Sequence, residues 1–395
     1  MSDHAAAAFD GAATVPFSDA VRLPTGAIVT HLEREAETLD RSARARRVGP
    51  GRLAVAAVLP PGYLRTQLPA YADAPDKPDL TPRAYTAVAA DEAGDLVVAA
   101  VRLDRDPTHD AEAYPKAEIA AKVNDALRSR PADRLVRQLA RCAREYGCHA
   151  AANAFYRRWE CALPVAAPAN EHPPAAIAPR LDGEAEPREP AAFHATAEEV
   201  ATLAIDHLAG GGTLLSFGRA CEGEPLLAAR LLEDAIRLIR AATRSGTIHL
   251  ETNGSTPAAL RRLATTGLDA VTIRLLSART DTYEVLHRPE GYRFADVRAS
   301  LRAAAEQRMA MSLLIPVLPG LFDRTDEVAA LVNLASELPE GSAVLLRDLA
   351  ADPLRALAAL KGRDANVGVA RALERLREEL PHLRVGSFVR PLARI

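Results

Sequence analysis

The second half of the chain alternates short apolar runs with longer stretches in which apolar residues recur every three or four positions. The runs at 213–217, 247–251, 270–276, 311–317 and 343–347 predict strands buried on both faces. Between them the helical period predicts helices over 226–244, 257–266, 295–308 and 326–337, the first with Leu227, Leu231, Leu238 and Ile239 as its apolar stripe. Thr196 followed by Glu199 is a capping-box pattern ahead of a helix over 200–209. Repeated strand–helix units of this size build a parallel sheet with helices outside it. A short strand over 161–165 supplies a sixth unit, and 370–380 and 385–389 read as a last helix and strand.

The first half is patterned differently. A strand over 53–59 is closed by Pro60-Pro61-Gly62, and runs at 85–90 and 95–103 flank a turn at 91–94, which predicts a hairpin. Helices follow over 117–129 and 132–146, the second with Leu135, Leu139 and Cys142 on one face. Residues 1–50 are rich in Ala, Arg and Pro with few apolar anchors, and are expected to be loosely ordered. Residues 164–190 carry seven prolines and few large apolar side chains, the composition of a linker or mobile loop. The predicted organisation is therefore a loose segment 1–50, an α+β domain 51–160, a Pro/Ala-rich loop 161–194 and a β/α domain 195–395.

Charge narrows the field of partners. With a formal net charge of −3 over 395 residues, the chain lacks the basic surface that nucleic acid or an anionic membrane selects, and the arginines of 41–47 read as a solvated face or arm. No apolar run approaches the roughly 20 residues that span a bilayer. The N-terminal residues lack a signal peptide's basic start, and four cysteines do not make a disulfide framework, so the expected compartment is the cytoplasm.

In a parallel β/α array, ligand groups lie at the carboxyl ends of the strands. Here those ends carry Gly218, Arg219, Glu222, Gly223 and Glu224; then Glu251, Thr252, Asn253, Gly254 and Ser255; then Arg274, Ser277 and Arg279; then Pro319, Gly320 and Asp323; and lastly Arg347 and Asp348. Carboxylates beside a glycine turn suit an ammonium or hydroxyl ligand, and Arg274 suits a carboxylate, so together they suit an amino acid carrying a ribose. Each has a structural reading as well. Asn253-Gly254 is a turn signal, Glu222 and Glu224 can cap the helix that begins at Pro225, and Arg274 can sit in a core ion pair. His249 and His287 read as packed or surface histidines. Cys142, Cys148 and Cys161 fit no common zinc or iron–sulfur spacing and read as buried thiols, whereas Cys221, in the Gly/Glu turn, can be reactive.

Several stretches, taken in order, resemble a family of uncharacterised bacterial radical S-adenosylmethionine (SAM) proteins. They are PPGY (60–63), RLVRQLARCAREYGC (134–148), NAFYRRWE (153–160), SFGRACEGEPLL (216–227), TNGS (252–255), GLDAVTIRLLSAR (267–279), HRPEGYRF (287–294) and LPGLFDR (318–324). The resemblance implies an α/β fold, a radical-SAM-like partial (β/α)6 barrel with an N-terminal α+β domain. It also implies SAM as a cofactor, with the SAM amino group at Cys221-Glu222-Gly223-Glu224-Pro225 and Glu222, Gly223, Glu224, Asn253, Ser255, Arg274 and Ser277 as the ligand-holding set. Relatives carry C-x3-C-x2-C in the loop after the first barrel strand, three thiolates for a 4Fe-4S cluster. In this chain residues 166–190 contain no cysteine. Arg219 also stands where relatives have a neutral polar residue, and Leu276 where they carry a polar one.

The leading expectation is a degenerate homologue without the 4Fe-4S cluster, holding SAM, a nucleoside or another small molecule, or serving as the inactive protein partner of an active radical SAM enzyme. Two alternatives stand beside it. One is an active radical SAM enzyme using Cys142, Cys148 and Cys161 as unorthodox metal ligands; the other is a non-redox enzyme working through Glu222 and Glu224.

Overall fold

The computed structural model describes residues 6–110, 115–166, 168–177, 192–219, 222–360 and 365–392. Seven parallel strands form one curled sheet in strict chain order: Glu160–Ala162, Leu214–Phe217, Thr247–Thr252, Ala270–Arg274, Ala310–Val317, Ala343–Asp348 and Arg384–Gly386. They are called here the first to seventh barrel strands. The predicted short strand is confirmed as the first, and the tail strand joins the sheet as the seventh, parallel to the sixth.

The connecting helices follow from local signals. Thr196 and Glu199 form the predicted capping box at the start of Ala197–Ala209, an arrangement worth about 1 kcal/mol. The helix expected over 226–244 begins instead as a 3-10 turn, Pro225–Ala228, before continuing as Ala229–Ala242. Pro257–Thr266 ends on Gly267 in the left-handed region. Helices Phe294–Glu306 and Thr325–Ala335 match expectation within a few residues, while Thr280–His287 and Pro353–Ala358 were not foreseen.

The N-terminal part corrects one expectation. Among residues 1–50, strands occupy Ala7–Phe9, Thr14–Pro16, Ala20–Arg22, Ile28–Glu35, Glu37–Leu39 and Ala45–Arg47. Ile28–Glu35 pairs with Leu53–Val58, and Ala20–Arg22 with Leu96–Arg102, so this segment is part of the sheet domain and not a loose arm. Its strands are short and alternate small with charged residues, so they draw their order from pairing rather than from apolar anchors. The predicted hairpin is present, Tyr85–Ala90 against Leu96–Arg102. Arg65 ties this domain to the barrel: its side chain is fully buried and donates to the carbonyls of Tyr85, Val317 and Leu349 at 3.2, 3.2 and 2.6 Å.

Because the first and seventh strands do not pair, the barrel is open along one flank. The flank is covered by the chain end, where Val389 packs inside against Leu214, Leu314, Ala343 and Leu345, by helix His149–Tyr156, and by the turn around Pro60–Tyr63.

Candidate functional site

The polar strand ends converge as predicted at the carboxyl edge of the sheet, the barrel mouth, but what they bind there is the chain itself. Glu222 is buried, and its carboxylate accepts the backbone N–H groups of Val165, Ala166 and Gly218 at 2.8, 3.1 and 2.7 Å. Gly218 has φ +83° and lies against the backbone carbonyl of Glu251, an approach that a Cβ would prevent. Glu224 caps the 3-10 turn through Leu226 N–H at 2.9 Å. It also accepts from Asn253 N–H at 2.9 Å and from the Thr252 hydroxyl. Burial raises the Glu224 carboxyl to about 7 against the opposing pull of those donors. The helix-capping reading therefore holds for Glu224, and Glu222 staples the first barrel strand's exit to the second's.

The segment that follows the first barrel strand crosses this mouth. Val165, Ala166 and residues 168–177 form a strap. Gly223 N–H donates to Ala166 O at 2.7 Å and Glu224 N–H to Pro168 O at 2.8 Å. Asn253 Nδ2 donates to Asn170 Oδ1 at 2.8 Å, while its Oδ1 accepts from Ser255 N–H at 3.0 Å. Glu171 ion-pairs with Arg274 and lies 2.8 Å from His287 Nδ1, and His287 Nε2 accepts from Leu276 N–H at 2.9 Å. Burial would raise the Glu171 carboxyl, but Arg274 and His287 outweigh it and hold the group down at about 2. Ile177 then seats in an apolar cluster with Leu276, Leu318 and Leu349. The expected linker is thus, over its described part, an ordered strap; residues 178–191 lie outside the described residues. Of the remaining predicted site residues, Ser277 donates to Glu327 at 2.6 Å, and the buried Ser255 hydroxyl has no partner among the described residues.

A second polar layer, deeper in the barrel, was not assembled from the sequence. Ser216 Oγ donates to Glu160 at 2.7 Å, so His249 Nδ1, 3.1 Å from the same oxygen, must carry the proton; its Nε2 then accepts from Thr272 at 2.7 Å. Burial pushes His249 down to about 4, which keeps it neutral. Above this layer Arg219 lies 2.9 Å from Glu160 and 3.4 Å from Glu251, and Arg347 lies 3.2 Å from Glu251. The available signal was the strand alternation that puts Ser216, His249, Glu251, Thr272 and Arg347 on one face of the sheet.

Cys142, Cys148 and Cys161 are buried in the apolar layer between sheet and helices, and burial pushes the Cys161 thiol up to about 12. Among the described residues no group of three or more His, Cys, Asp or Glu side chains is placed to hold a metal ion. Cys221 lies outside the described residues.

A parallel half-barrel with its polar groups at the carboxyl edge is an α/β scaffold of the kind that binds small ligands at its mouth. Residues 170–332 match the Radical SAM superfamily model. No curated protein matches the chain. Among solved structures, it is similar to a radical SAM methyltransferase from Sphaerobacter thermophilus, at 16% identity over 50% of this chain and 59% of that one, with a TM-score of 0.35. It is also similar to methylornithine synthase, at 12% identity over 69% and 75% of the two chains with a TM-score of 0.40. A third is anSMEcpe with bound AdoMet, at 12% identity over 48% and 50% with a TM-score of 0.37. The match spans 59% of the length of the first of these.

Proposed function

We propose that this protein uses a radical SAM barrel without radical chemistry, as a binding or partner protein whose mouth is closed by its own strap. The observation that carries this reading is the contact of Glu171 with Arg274 and His287. It commits the arginine assigned to SAM to an internal carboxylate, in a loop that has no cysteine. Glu222, Gly223, Glu224 and Asn253 are committed to the chain in the same way. The partner that fits this reading is an active radical SAM enzyme, and the compartment is the cytoplasm, without nucleic acid or membrane. Among the described residues no helix is long and apolar enough to cross a membrane.

Anaerobic reconstitution with iron and sulfide tests the proposal. The expected result is no stoichiometric 4Fe-4S signal that shifts on adding SAM; such a signal overturns it. Calorimetry with SAM on the wild type and on Glu171→Ala then separates strap from site. Binding by the variant alone identifies a retained SAM site that the strap covers, and binding by neither leaves the partner role.

The reading of Glu222 and Glu224 as acid and base in a non-redox enzyme gains no support from this geometry. Both carboxylates are buried and each holds three donors of its own chain.

A further inference from the structure

On the flank side of the carboxyl edge, beside the strand ends that carry Arg219, Arg347 and Asp348, the molecule holds a partly open cavity of about 100 Å3 between the turn at Pro60–Tyr63, helix His149–Tyr156 and the inner face of the barrel. It is well below the roughly 300–1,000 Å3 of pockets for drug-sized ligands, so any occupant is small. One wall is apolar, made by Leu59, Pro60, Pro61 and Phe388. The polar part of the lining carries Arg219 and Arg347 together with the carboxylates Glu160 and Asp348. Phe388 is held flat by His109, stacked at 3.5 Å, and His109 in turn meets the Trp159 ring edge-on at 4.6 Å.

Two buried donors at this cavity have no partner among the described residues: the Trp159 indole N–H and the Ser387 hydroxyl. Ser387 is only 3% exposed, and a buried donor left unsatisfied is costly enough that native structures seldom keep one without a reason. Both ask for an acceptor. The two guanidiniums share Glu251, and Arg219 also meets Glu160, so the polar wall is close to neutral and ordered in advance. Arg347 is further steadied by donating through Nε to the Ser387 carbonyl at 3.2 Å, and both residues line the cavity.

We propose that this flank cavity is a binding site for a small monocarboxylate with a short apolar body. The carboxylate takes the Ser387 hydroxyl, the Trp159 N–H and the Arg347 fork, and the carbon chain lies along Leu59, Pro60 and Phe388. None of the residues assigned to SAM and none of the strap residues lines this cavity, although Arg219, Arg347 and Asp348 belong to the same carboxyl edge.

Trp159 is the chain's single tryptophan, so the site reports on itself. Butyrate, with butyramide as its uncharged isostere, is titrated into the full chain while Trp159 fluorescence is followed, with calorimetry in parallel. The expected result is a saturable change with butyrate and binding at least tenfold weaker with butyramide. Ser387→Ala weakens butyrate about tenfold, the size of one hydrogen bond to a charged group, and Arg347→Gln weakens it further. Should Arg347→Gln fail to fold by circular dichroism, Ala150→Leu, which narrows the cavity from the helix side, carries the same test through loss of binding. No saturable change with butyrate up to about 10 mM, weaker than the millimolar range of minimal ligands, overturns the proposal. So does equal binding of butyramide, or a Ser387→Ala variant that binds like the wild type.

Discussion

The mouth and the flank of this barrel are built from the same kinds of residue and finish in opposite states. At the mouth, Glu222, Glu224, Arg274 and Asn253 each close on another part of the chain, and the strap supplies partners for the side chains of three of them, Glu222, Asn253 and Arg274. At the flank, Trp159 and Ser387 keep donors with no acceptor among the described residues. A side chain of the right type at a strand end therefore does not by itself mark a ligand site. What distinguishes the two places is how far the protein has already satisfied the hydrogen-bonding groups it buries, the Ser255 hydroxyl being an exception at the mouth.

That contrast can be tested by breaking the mouth. Glu171→Ala leaves Arg274 buried without its main partner, and the expected loss is about 3 kcal/mol of unfolding free energy in urea. Limited proteolysis should then cut within 168–177, where the wild type resists. A loss below about 0.5 kcal/mol would place the variant within the range of ordinary surface substitutions, and would mean that the strap is not held by this pair. Glu222→Gln keeps the shape but replaces one acceptor oxygen by a donor facing backbone N–H groups, and should cost about 2 kcal/mol by the same measurement.

The smallest effect is one of slope. Glu224 has a folded pKa raised from about 4.5 to about 7, so the folded state binds its proton more tightly than the unfolded chain does. Its stabilising contribution is complete below about pH 4.5 and is lost as pH rises through about 7, at no more than about 1.4 kcal/mol per pH unit. Glu224→Gln should remove that decline from the stability profile. Glu171 works in the other direction. Its folded pKa is depressed to about 2, so its contribution is present above about pH 4.5 and is lost as pH falls toward 2. Glu171→Gln should flatten the acid limb and leave the neutral one alone.

The sheet was legible in the sequence because strands covered on both faces are written as continuous apolar runs, and helices as a separate period. The strand-end residues were legible for the same reason, since a parallel array fixes which end they occupy. The strap was not. Its Pro/Ala composition gives no local reason for order, and its order comes from partners far along the chain, Asn253 for Asn170 and Arg274 and His287 for Glu171. The N-terminal strands were missed likewise, because Ile28–Glu35 gains its order by pairing with Leu53–Val58. The flank cavity draws on residues near 60, 110, 150, 220, 347 and 388, and no local motif announces a wall assembled that way.

The strap also sets an order of events for folding. Its anchors sit in the turn after the second strand, just past the third, on the fourth, and beyond the sixth, where Ile177 bridges to Ala351. None of these exists as a surface until the sheet has registered across most of its width, so residues 168–177 can dock only onto a nearly finished barrel. The first segment made after the first strand is therefore among the last to settle. Substitutions in it should speed unfolding while leaving the folding rate almost untouched.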